Sequence, residues 1–376
     1  MEILSIFHQN IGQSTFVLCC GFFVLLIHRR RWMMTSSTSS DLATVSLSNF
    51  ADEMTPDFRG QITSTLALGM RSMSIRSGDV LGTGESKNVM LWSQDELKKA
   101  QQMLTSSGVF IAEVGSPIGK VKLVDVEDGT KNRFVPFQRY LDEDVRRALD
   151  LAGFFGCNRL RGFSFYPPKG SNPDDYFNQA ADQVAAIVQL CAARRILYGC
   201  EVEANLVGDR AERLMRLREH VGSPWFRLVF DPANITCQNL KEVAAMDFKA
   251  LRFLLGWFHA KEYKVDPNVT WKGHVDEETL KNFVPLGYGN SGYDQIVYSL
   301  ARALPTLHTD LNALDIPSFL ITLEPHLRRG GQFGGYTGPD GMRVALQALL
   351  TVLATHNIET DLIQWEEVKR TPEFRI

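Results

Sequence analysis

The chain has 376 residues, of which 44% are hydrophobic and 22% are charged, a composition typical of a globular protein with one large domain or two small ones. The formal net charge of −3 gives no basic excess that would indicate a nucleic-acid partner, so an anionic ligand would need local lysines and arginines. The six cysteines include no CxxC spacing, which argues against a zinc ribbon or a redox motif and favours reduced thiols.

The N-terminal region is first apolar and then basic. Residues 15–27 are hydrophobic but shorter than the about 20 residues of a membrane helix, and the basic cluster follows the apolar run instead of preceding it as in a signal peptide. One interpretation is a short signal anchor with a cytoplasmic basic flank. The other, which we favour, is a translation start at Met33 or Met34 and a cytoplasmic protein. Residues 1–42 are therefore assigned to a hydrophobic segment and polar linker, and residues 43–376 to a single domain.

Strand-like and helix-like segments alternate through the rest of the chain. Eight short apolar runs bounded by Gly, Pro, Asn or Asp have the pattern of β-strands. They are residues 43–50, 70–76, 108–115, 159–167, 196–203, 226–231, 251–259 and 318–324. Longer segments with the pattern of helices lie between and after them. These are residues 57–69, 93–108, 140–156, 176–194, 209–222, 239–250, 293–305 and 339–357.

Two helix starts carry capping patterns, and one helix has a clear apolar face. Ser93 with Glu96 three residues later predicts a capping box, and Asp209 with Glu212 predicts a related acidic start. In the helix of residues 176–194, apolar side chains recur at three- and four-residue steps, which predicts the face that packs on the sheet. They are Phe177, Ala180, Val184, Ile187, Val188 and Cys191.

Eight strands that each precede a helix predict an α/β fold, a (β/α)8 TIM barrel built as a single domain. The alternative is an open, doubly wound sheet, which also alternates strands and helices. That fold normally has a glycine-rich turn after its first strand, whereas here the first strand runs into SNFADEM without a GxGxxG motif. The segment 263–292 has no clear periodicity and follows the seventh strand, so we expect it to form a lid or a substrate wall.

Polar residues stand at or just after the ends of the last four predicted strands. Each alone has a plainer explanation, such as a solvated strand end, an Asx-Pro turn or a structural histidine. Together they would converge, because the carboxyl ends of barrel strands share one rim where active sites lie. Three carboxylates and one imidazole suit one divalent metal ion, Mn²⁺, Mg²⁺, Co²⁺ or Zn²⁺. The predicted ligands are Glu201, Asp231, His259 and Glu324.

Several motifs in the same order resemble the sugar phosphate isomerase/epimerase family, the xylose-isomerase-like TIM barrels, over roughly residues 44–357. They are SPIGK (116–120), FSFYPP (163–168), EVE followed by GD (201–209), SPWFRLVFDPAN (223–234), HAKEY (259–263), PLGYGNSGYD (285–294) and LEPHLRRGGQFGGYTGP (323–339). EVE stands where many members have Glu-Asn-Glu, and HAKEY where many have His-x-Lys-Asp. The chain departs from the pattern at Ser74, where many members have the Glu of a Glu-x-Arg motif, and at Glu262, where many have Asp.

The resemblance implies that the family's metal ligands are the same four strand-end residues. It also implies that Glu201 and Glu324 are the catalytic acid/base groups, which flank a substrate carbon and move its proton. Such a C–H proton becomes acidic enough only when the charge of the enediolate is stabilised, which a divalent cation does. A base on each face of the carbon gives epimerisation, and one base that moves a proton between neighbouring carbons gives isomerisation.

Six further residues are predicted to bind substrate. Lys261 would face the same rim as His259 and either holds a substrate oxygen or pairs with Glu203 or Glu262. Asn234 would support the site around Asp231. The full set is Glu203, Lys261, His326, Lys120, Arg76 and Asn234. The glycine-rich residues 332–341 could cradle a phosphate at a helix N-terminus, although a plain linker is favoured.

These observations predict a divalent-metal-dependent isomerase or epimerase of a keto or aldo sugar or a polyol derivative. The alternatives are a lyase resembling inosose dehydratase, a non-catalytic carbohydrate-binding barrel and, least favoured, a phosphodiesterase related to the apurinic endonucleases. The last normally uses more histidine ligands and a basic groove, which this composition does not supply. The expected partner is a small sugar or polyol, with no nucleic acid, and a homo-oligomer remains one alternative for the assembly.

Overall fold

Eight parallel strands surround a common interior in the computed structural model, which describes residues 44–273, 277–327 and 337–370. They are β1 (Thr44–Asn49), β2 (Ser72–Ile75), β3 (Phe110–Ile118), β4 (Arg159–Gly162), β5 (Leu197–Glu201), β6 (Phe226–Phe230), β7 (Leu255–Ala260) and β8 (Leu320–Leu323). Each overlaps one of the predicted apolar runs. The predictions for residues 1–42, including both interpretations of the apolar segment, lie outside the described residues.

The strands form one parallel sheet that curls back on itself. Neighbours follow chain order from β2 to β8, β8 then pairs with β1, and the short strand Glu359–Thr360 pairs with the start of β1. Between β1 and β2 there is one isolated backbone bridge, Phe50 to Ser74. The same seam has a hydrogen bond between the hydroxyls of Ser48 and Ser74 at 3.0 Å. The predicted TIM-barrel-like fold is therefore confirmed, with a β1–β2 seam held largely by side chains.

A helix follows each of the eight strands. They are α1 (Phe58–Ala67), α2 (Gln94–Ser107), α3 (Phe137–Tyr140, the π-helical turn Leu141–Val145, and Arg146–Phe154), α4 (Phe177–Ala193), α5 (Ala211–Val221), α6 (Val243–Leu251), α7 (Tyr293–Asn312) and α8 (Gly338–Ala354). Shorter elements lie among them: Ala51–Glu53, the hairpin of Ser77–Gly78 with Lys87–Asn88, Val89–Leu91, Pro173–Tyr176, Pro232–Thr236, Arg252–Leu254, Glu277–Leu280 and Trp365–Val368. Among the described residues, every helix is too short or too polar to cross a lipid bilayer.

Helix α7 is longer than predicted because it continues through a proline. The sequence prediction ended this helix at residue 305, but the structure extends it to Asn312 with Pro305 inside. A proline removes one helical hydrogen bond. The buried apolar face nevertheless continues beyond it at Leu307 and Leu311, and this packing holds the last two turns in place.

The two predicted helix starts differ in outcome. Ser93 and Glu96 form the predicted capping box, in which each side chain accepts a hydrogen bond from the other residue's backbone N–H. Glu212 does lie in the first turn of α5, but the cap predicted at Asp209 is wrong, because the N-cap residue is Arg210 and its side chain makes no capping bond. The Asp209 carboxylate instead accepts a hydrogen bond from Arg213 at 2.8 Å. A nearby cation has thus displaced the backbone N–H as the partner of that carboxylate.

The apolar face predicted for α4 is confirmed. All six of its side chains are buried, and the helix packs against strand β5. Burial of about 25 cal/mol for each Å² of apolar surface makes such a face the main stabiliser of the contact between helix and sheet. This packing fixes β5 in the barrel and so sets the position of the residue at its carboxyl end, Glu201.

The long segment after β7 lies across the carboxyl end of the barrel. Its described parts, residues 263–273 and 277–292, include the short helix Glu277–Leu280 and an antiparallel bridge between Tyr263 and Phe283. Trp271, Leu280 and Phe283 from this segment line a cavity at that end. This segment therefore forms part of a cavity wall, and its role as a lid or substrate wall stays a prediction.

Candidate metal centre

The four predicted ligands lie together at the carboxyl ends of strands β5 to β8. Glu201 ends β5, Asp231 directly follows β6, His259 is the second-last residue of β7 and Glu324 directly follows β8. One ligand atom from each residue lies within 4.8 Å of the others. All four side chains are buried, so their charges depend on one another rather than on water.

One atom of each ligand faces a shared centre. Nδ1 of His259 is 3.5 Å from Oε1 of Glu201 and 3.5 Å from Oε2 of Glu324. The backbone explains the position of Asp231, which caps the helix Pro232–Thr236 by accepting the backbone N–H of Asn234 at its Oδ1. Its other oxygen, Oδ2, is left for the centre. The convergence is therefore a consequence of parallel strands that end at one level.

The outer oxygens of the two glutamates are held by arginines from the other half of the barrel. Arg161, on β4, places Nη1 3.3 Å from Oε2 of Glu201. Arg76, just after β2, places Nη1 2.7 Å from Oε1 of Glu324. Each arginine therefore binds the oxygen that faces away from His259 and leaves the inner oxygen of its glutamate directed at the centre.

These residues fit a divalent cation. Nδ1 of His259 is fully buried and, among the described residues, has no hydrogen-bond partner. Burying a polar atom without a partner costs free energy, which a bound cation would recover. An imidazole nitrogen with three carboxylate oxygens is a ligand set suited to Mn²⁺, Co²⁺ or Zn²⁺, and the oxygens alone suit Mg²⁺.

Lys261 also reaches the inner oxygens. Its Nζ is 2.6 Å from Oδ2 of Asp231 and 3.3 Å from Oε2 of Glu324. The predicted pairing of Lys261 with Glu203 or Glu262 is therefore wrong. Strand β7 directs Lys261 inward with His259, which places it beside the buried ligands.

The two carboxylates proposed as partners of Lys261 are occupied elsewhere. Glu203 pairs with Lys120, with Nζ 2.6 Å from Oε2. Glu262 accepts the backbone N–H groups of Tyr263 and Ser291 at 2.9 and 3.1 Å. Glu262 therefore supports the loop after β7 and does not face the centre.

The pKa values of Glu201 and Asp231 are shifted in opposite directions, that of Glu201 by neighbouring charges and that of Asp231 by burial. Burial would raise the pKa of Glu201, but His259 and Arg161 outweigh it and lower that pKa to about 2. For Asp231, burial raises the pKa to about 6 even though Lys261 acts against it. The centre thus contains a carboxylate that stays ionised and one that holds its charge weakly without a cation.

The imidazole is placed in a strongly negative environment. Burial would lower the pKa of His259, but Glu113 and Glu201 outweigh it and raise that pKa to about 10. The carboxylates that hold a proton on this ring would also attract a divalent cation, which would take the place of the proton on the ligating nitrogen.

A histidine partner that the sequence analysis missed lies on β3. Glu113 is fully buried, and its Oε1 is 3.0 Å from Nε2 of His259. The only sequence signal was a glutamate inside the apolar run GVFIAEVG, where an unpaired charge is costly. Arg161 was missed for a similar reason, because its partner Glu201 lies on a neighbouring strand.

A cavity of about 400 Å³ opens onto the centre. Its wall includes both candidate acid/base residues, Glu201 and Glu324. It also includes all six residues predicted to bind substrate, namely Glu203, Lys261, His326, Lys120, Arg76 and Asn234. Tyr166 and Trp271 add aromatic surface. The geometry therefore brings together the complete predicted set, whose roles remain predictions.

The sequence and the fold of this chain are similar to those of known proteins. The sequence profile of the family described as "Xylose isomerase-like TIM barrel" matches residues 66–304, more than half of the chain. The chain belongs to the xylose isomerase-like TIM barrel family. A comparison with curated proteins gives no match.

Solved structures share the family's barrel. The probable 3-DHS dehydratase AsbF from Bacillus anthracis is 15% identical, with a TM-score of 0.53, over 82% of this chain and 98% of that chain. D-Psicose 3-epimerase from Clostridium cellulolyticum H10, solved with D-tagatose, is 14% identical, with a TM-score of 0.52, over 84% and 99%. The IOLI protein with a bound zinc atom is 10% identical, with a TM-score of 0.58, over 83% and 99%. At these identities the likeness establishes the fold.

In the present chain, a second group of acidic residues, Glu53 and Asp52, lies next to the four candidate ligands. His326 places Nδ1 2.8 Å from Oε1 of Glu53, and its Nε2 is 3.9 Å from Oε1 of Glu324. Arg76 lies against the same group and binds Asp52 through Nε at 2.9 Å. Glu53 was not found from the sequence, because it sits in a short helix after β1 rather than at a strand end.

The remaining predictions at the rim have mixed outcomes. Asn234 contacts two of the candidate ligands, since its Nδ2 donates to Oε1 of Glu201 at 3.0 Å and its backbone N–H donates to Asp231, and its predicted role at the site stays a prediction. At the departure from the family pattern, the Ser74 hydroxyl donates to Oε2 of Glu113 at 2.9 Å. Of the glycine-rich residues 332–341, for which a plain linker was favoured over a phosphate cradle, residues 332–336 lie outside the described residues, so that choice stays a prediction.

Proposed function

We propose that this protein is a divalent-metal-dependent isomerase or epimerase that acts on a keto or aldo sugar or on a related polyol derivative. The observation that carries the proposal is the convergence of buried ligand atoms from four residues within 4.8 Å, beside a cavity that two of them line. The four are Glu201, Asp231, His259 and Glu324, and the two in the cavity wall are Glu201 and Glu324. The family and the sugar epimerases among the solved structures with this fold support the same class of reaction.

The four converging residues would hold the cation. When bound, the cation would supply a Lewis acid that stabilises negative charge on the oxygens of a hydroxy-ketone or hydroxy-aldehyde. Arg161 and Arg76 would keep the two glutamates oriented through their outer oxygens.

Glu201 and Glu324 would carry the proton transfers. One carboxylate accepts the proton from the carbon next to the substrate carbonyl, and the electron pair of that C–H bond moves into the enediolate. For epimerisation, the other residue, as a carboxylic acid, returns a proton to the opposite face of the same carbon. For isomerisation, the first residue returns the proton to the neighbouring carbon, and the hydroxyl proton moves from one oxygen of the enediolate to the other.

The cavity wall would orient the substrate. Lys261, Lys120 and Arg76 offer N–H donors to its hydroxyl and carbonyl oxygens, and Glu203 offers acceptors to its hydroxyls. His326 and Asn234 lie at the edge of the same space. Trp271 and Tyr166 would pack against the apolar C–H faces of the sugar. The substrate is therefore expected to be a polyhydroxylated molecule small enough to enter about 400 Å³.

Elimination is the second candidate reaction for the same site. The probable dehydratase AsbF has this fold, and removal of the same C–H proton followed by loss of a neighbouring hydroxyl would give an unsaturated product. The two reactions start from one proton abstraction, so product structure separates them.

The test is proton exchange in D₂O. Metal-supplemented protein is incubated with a panel of ketoses, aldoses and keto-inositols, and deuterium at carbon is measured by NMR. We expect the wild type to incorporate deuterium into one class of substrate, and Glu324→Gln to lose exchange by a factor of about 10² or more because the amide cannot accept the proton. An epimer or isomer supports the proposal, whereas an unsaturated product assigns the lyase.

Glu219→Gln is the matched control, because Glu219 is exposed on α5. It should exchange at the wild-type rate. Exchange at the wild-type rate in the folded Glu324→Gln protein would overturn the mechanism, and a metal-loaded wild type inactive on the whole panel would overturn the assignment.

A further inference from the structure

A buried carboxylate outside the substrate cavity contacts the histidine of the centre. The Glu113 and His259 side chains are both 0% exposed, and Oε1 of Glu113 lies 3.0 Å from Nε2 of His259. The glutamate comes from β3 and the histidine from β7, on opposite sides of the barrel interior. Because Glu113 has no solvent-exposed surface, we assign it no contact with substrate.

The second oxygen of Glu113 is fixed by hydroxyl groups from other strands. Ser74 on β2 donates to Oε2 at 2.9 Å, and Thr322 on β8 donates to the same oxygen at 3.0 Å. The Ser48 hydroxyl on β1 lies 3.0 Å from that of Ser74. Hydrogen bonds to both oxygens leave the carboxylate little freedom to rotate.

The carboxylate in turn determines which way the imidazole faces. With Nε2 bonded to Glu113, the opposite ring nitrogen, Nδ1, points to the inner oxygens of Glu201 and Glu324, each 3.5 Å away. The ring is also held from the side by Phe50, whose centroid is 5.2 Å away in an edge-on contact. A rotation of the imidazole about its Cβ–Cγ bond would break the bond to Glu113 and turn Nδ1 away from the centre.

We infer that Glu113 is a positioning residue that fixes the His259 ring for cation binding, with Ser74 and Thr322 holding Glu113 in turn. The inference rests on the proposed metal site and names the residue that prepares it. A carboxylate on the second nitrogen of a ligating histidine both orients the ring and strengthens its donor nitrogen, and loss of such a partner typically weakens metal binding about 10- to 100-fold.

The decisive experiment is titration of metal-free protein with Co²⁺, followed by its visible absorption and by competition with a chelator. We expect Glu113→Gln to raise the Kd for Co²⁺ about 10- to 100-fold and to alter the absorption spectrum, because the ring is less well oriented. Glu96→Gln is the matched control, a buried glutamate in the capping box of α2 that glutamine can replace. It should bind Co²⁺ like the wild type.

A milder variant covers the case in which Glu113→Gln does not fold. Ser74→Ala removes one of the two hydroxyls that fix Oε2 of Glu113 and should raise the Kd for Co²⁺ about two- to fivefold. Circular dichroism of the metal-free proteins checks that each variant is folded. A folded Glu113→Gln protein with wild-type Co²⁺ affinity and spectrum would overturn the inference, as would wild-type values for Ser74→Ala if Glu113→Gln does not fold.

Failure of the inference is distinguishable from failure of the proposed function. If the wild type binds no Co²⁺, the metal site itself is wrong and the inference falls with it. If the wild type binds Co²⁺ and both variants bind it equally well, only the role of Glu113 is wrong, and the proposed site stands.

Discussion

The two halves of the barrel make different contributions to the centre. Strands β5 to β8 supply the four candidate ligands at their carboxyl ends. Strands β1 to β4 and their loops supply the groups that hold those ligands. These are Arg76, Glu113 and Arg161. One half therefore offers lone pairs to a cation, and the other half fixes the direction in which those lone pairs point.

The candidate ligands and the supporting residues depend on the fold in different ways. A ligand needs only the correct place at the end of its own strand, because parallel strands end at one rim. A supporting residue needs a partner on another strand, so its position has meaning only after the barrel has formed. Substitution of a candidate ligand in strands β5 to β8 should therefore abolish metal binding. Substitution of a supporting residue in strands β1 to β4 should weaken metal binding without abolishing it.

Arg161→Met should have the larger effect on stability. Arg161 is 8% exposed, pairs with Glu201 and packs between Phe50 and Phe163. Methionine keeps the apolar stem but leaves the buried carboxylate without this cation, which typically costs about 3–5 kcal/mol in the free energy of unfolding. Urea denaturation in the presence of a chelator measures the loss, and saturating metal should reduce it because a cation then neutralises Glu201.

Arg216→Met provides the matched control for that measurement. Arg216 also stacks on an aromatic ring, that of Phe177, and pairs with Asp174, but its side chain is 42% exposed. Its loss should cost about 1 kcal/mol or less. Equal destabilisation by the two variants would contradict the role assigned to the buried guanidinium of Arg161, which is to stabilise the Glu201 carboxylate.

Lys261→Met should strengthen metal binding, whereas loss of a ligand or a supporting residue should weaken it. We expect this effect to be smaller than that of Arg161→Met on stability. Lys261 lies in the ligand half, and its Nζ contacts the inner oxygens of Asp231 and Glu324. Because an ammonium beside these oxygens repels a second cation, its removal should tighten Co²⁺ binding about tenfold or more. Sugar-dependent proton exchange should fall at the same time if Lys261 holds a substrate oxygen. Weaker Co²⁺ binding by Lys261→Met would show that the lysine supports the site instead of competing with the metal.

The sequence predicted the barrel and the convergence of the four candidate ligands well, for a local reason. Each of the eight apolar runs overlaps an observed strand, and each candidate ligand lies within one residue of the carboxyl end of one of these strands. The capping box of Ser93 was also predictable, because its partners lie three residues apart. Such local patterns can be recognised without knowing which residues of other strands lie nearby.

The supporting half could not be predicted in the same way. The contact between Glu113 and His259 spans 146 residues, and that between Arg76 and Glu324 spans 248. Ion pairing also redirected a local prediction, since Asp209 binds Arg213 instead of capping α5. Buried charges choose partners in three dimensions, so their pairing follows the fold and is not visible in spacing along the chain.

The central claim is that the four strand-end residues bind one divalent cation. Its most direct test is elemental analysis of purified, metal-supplemented and dialysed protein, with wild type beside His259→Ala and the exposed-site control His220→Ala. We predict ~1 equivalent of Mn, Mg, Co or Zn in wild type and in His220→Ala, and its loss in folded His259→Ala. No metal in the wild type, or an undiminished equivalent in His259→Ala, would contradict the account.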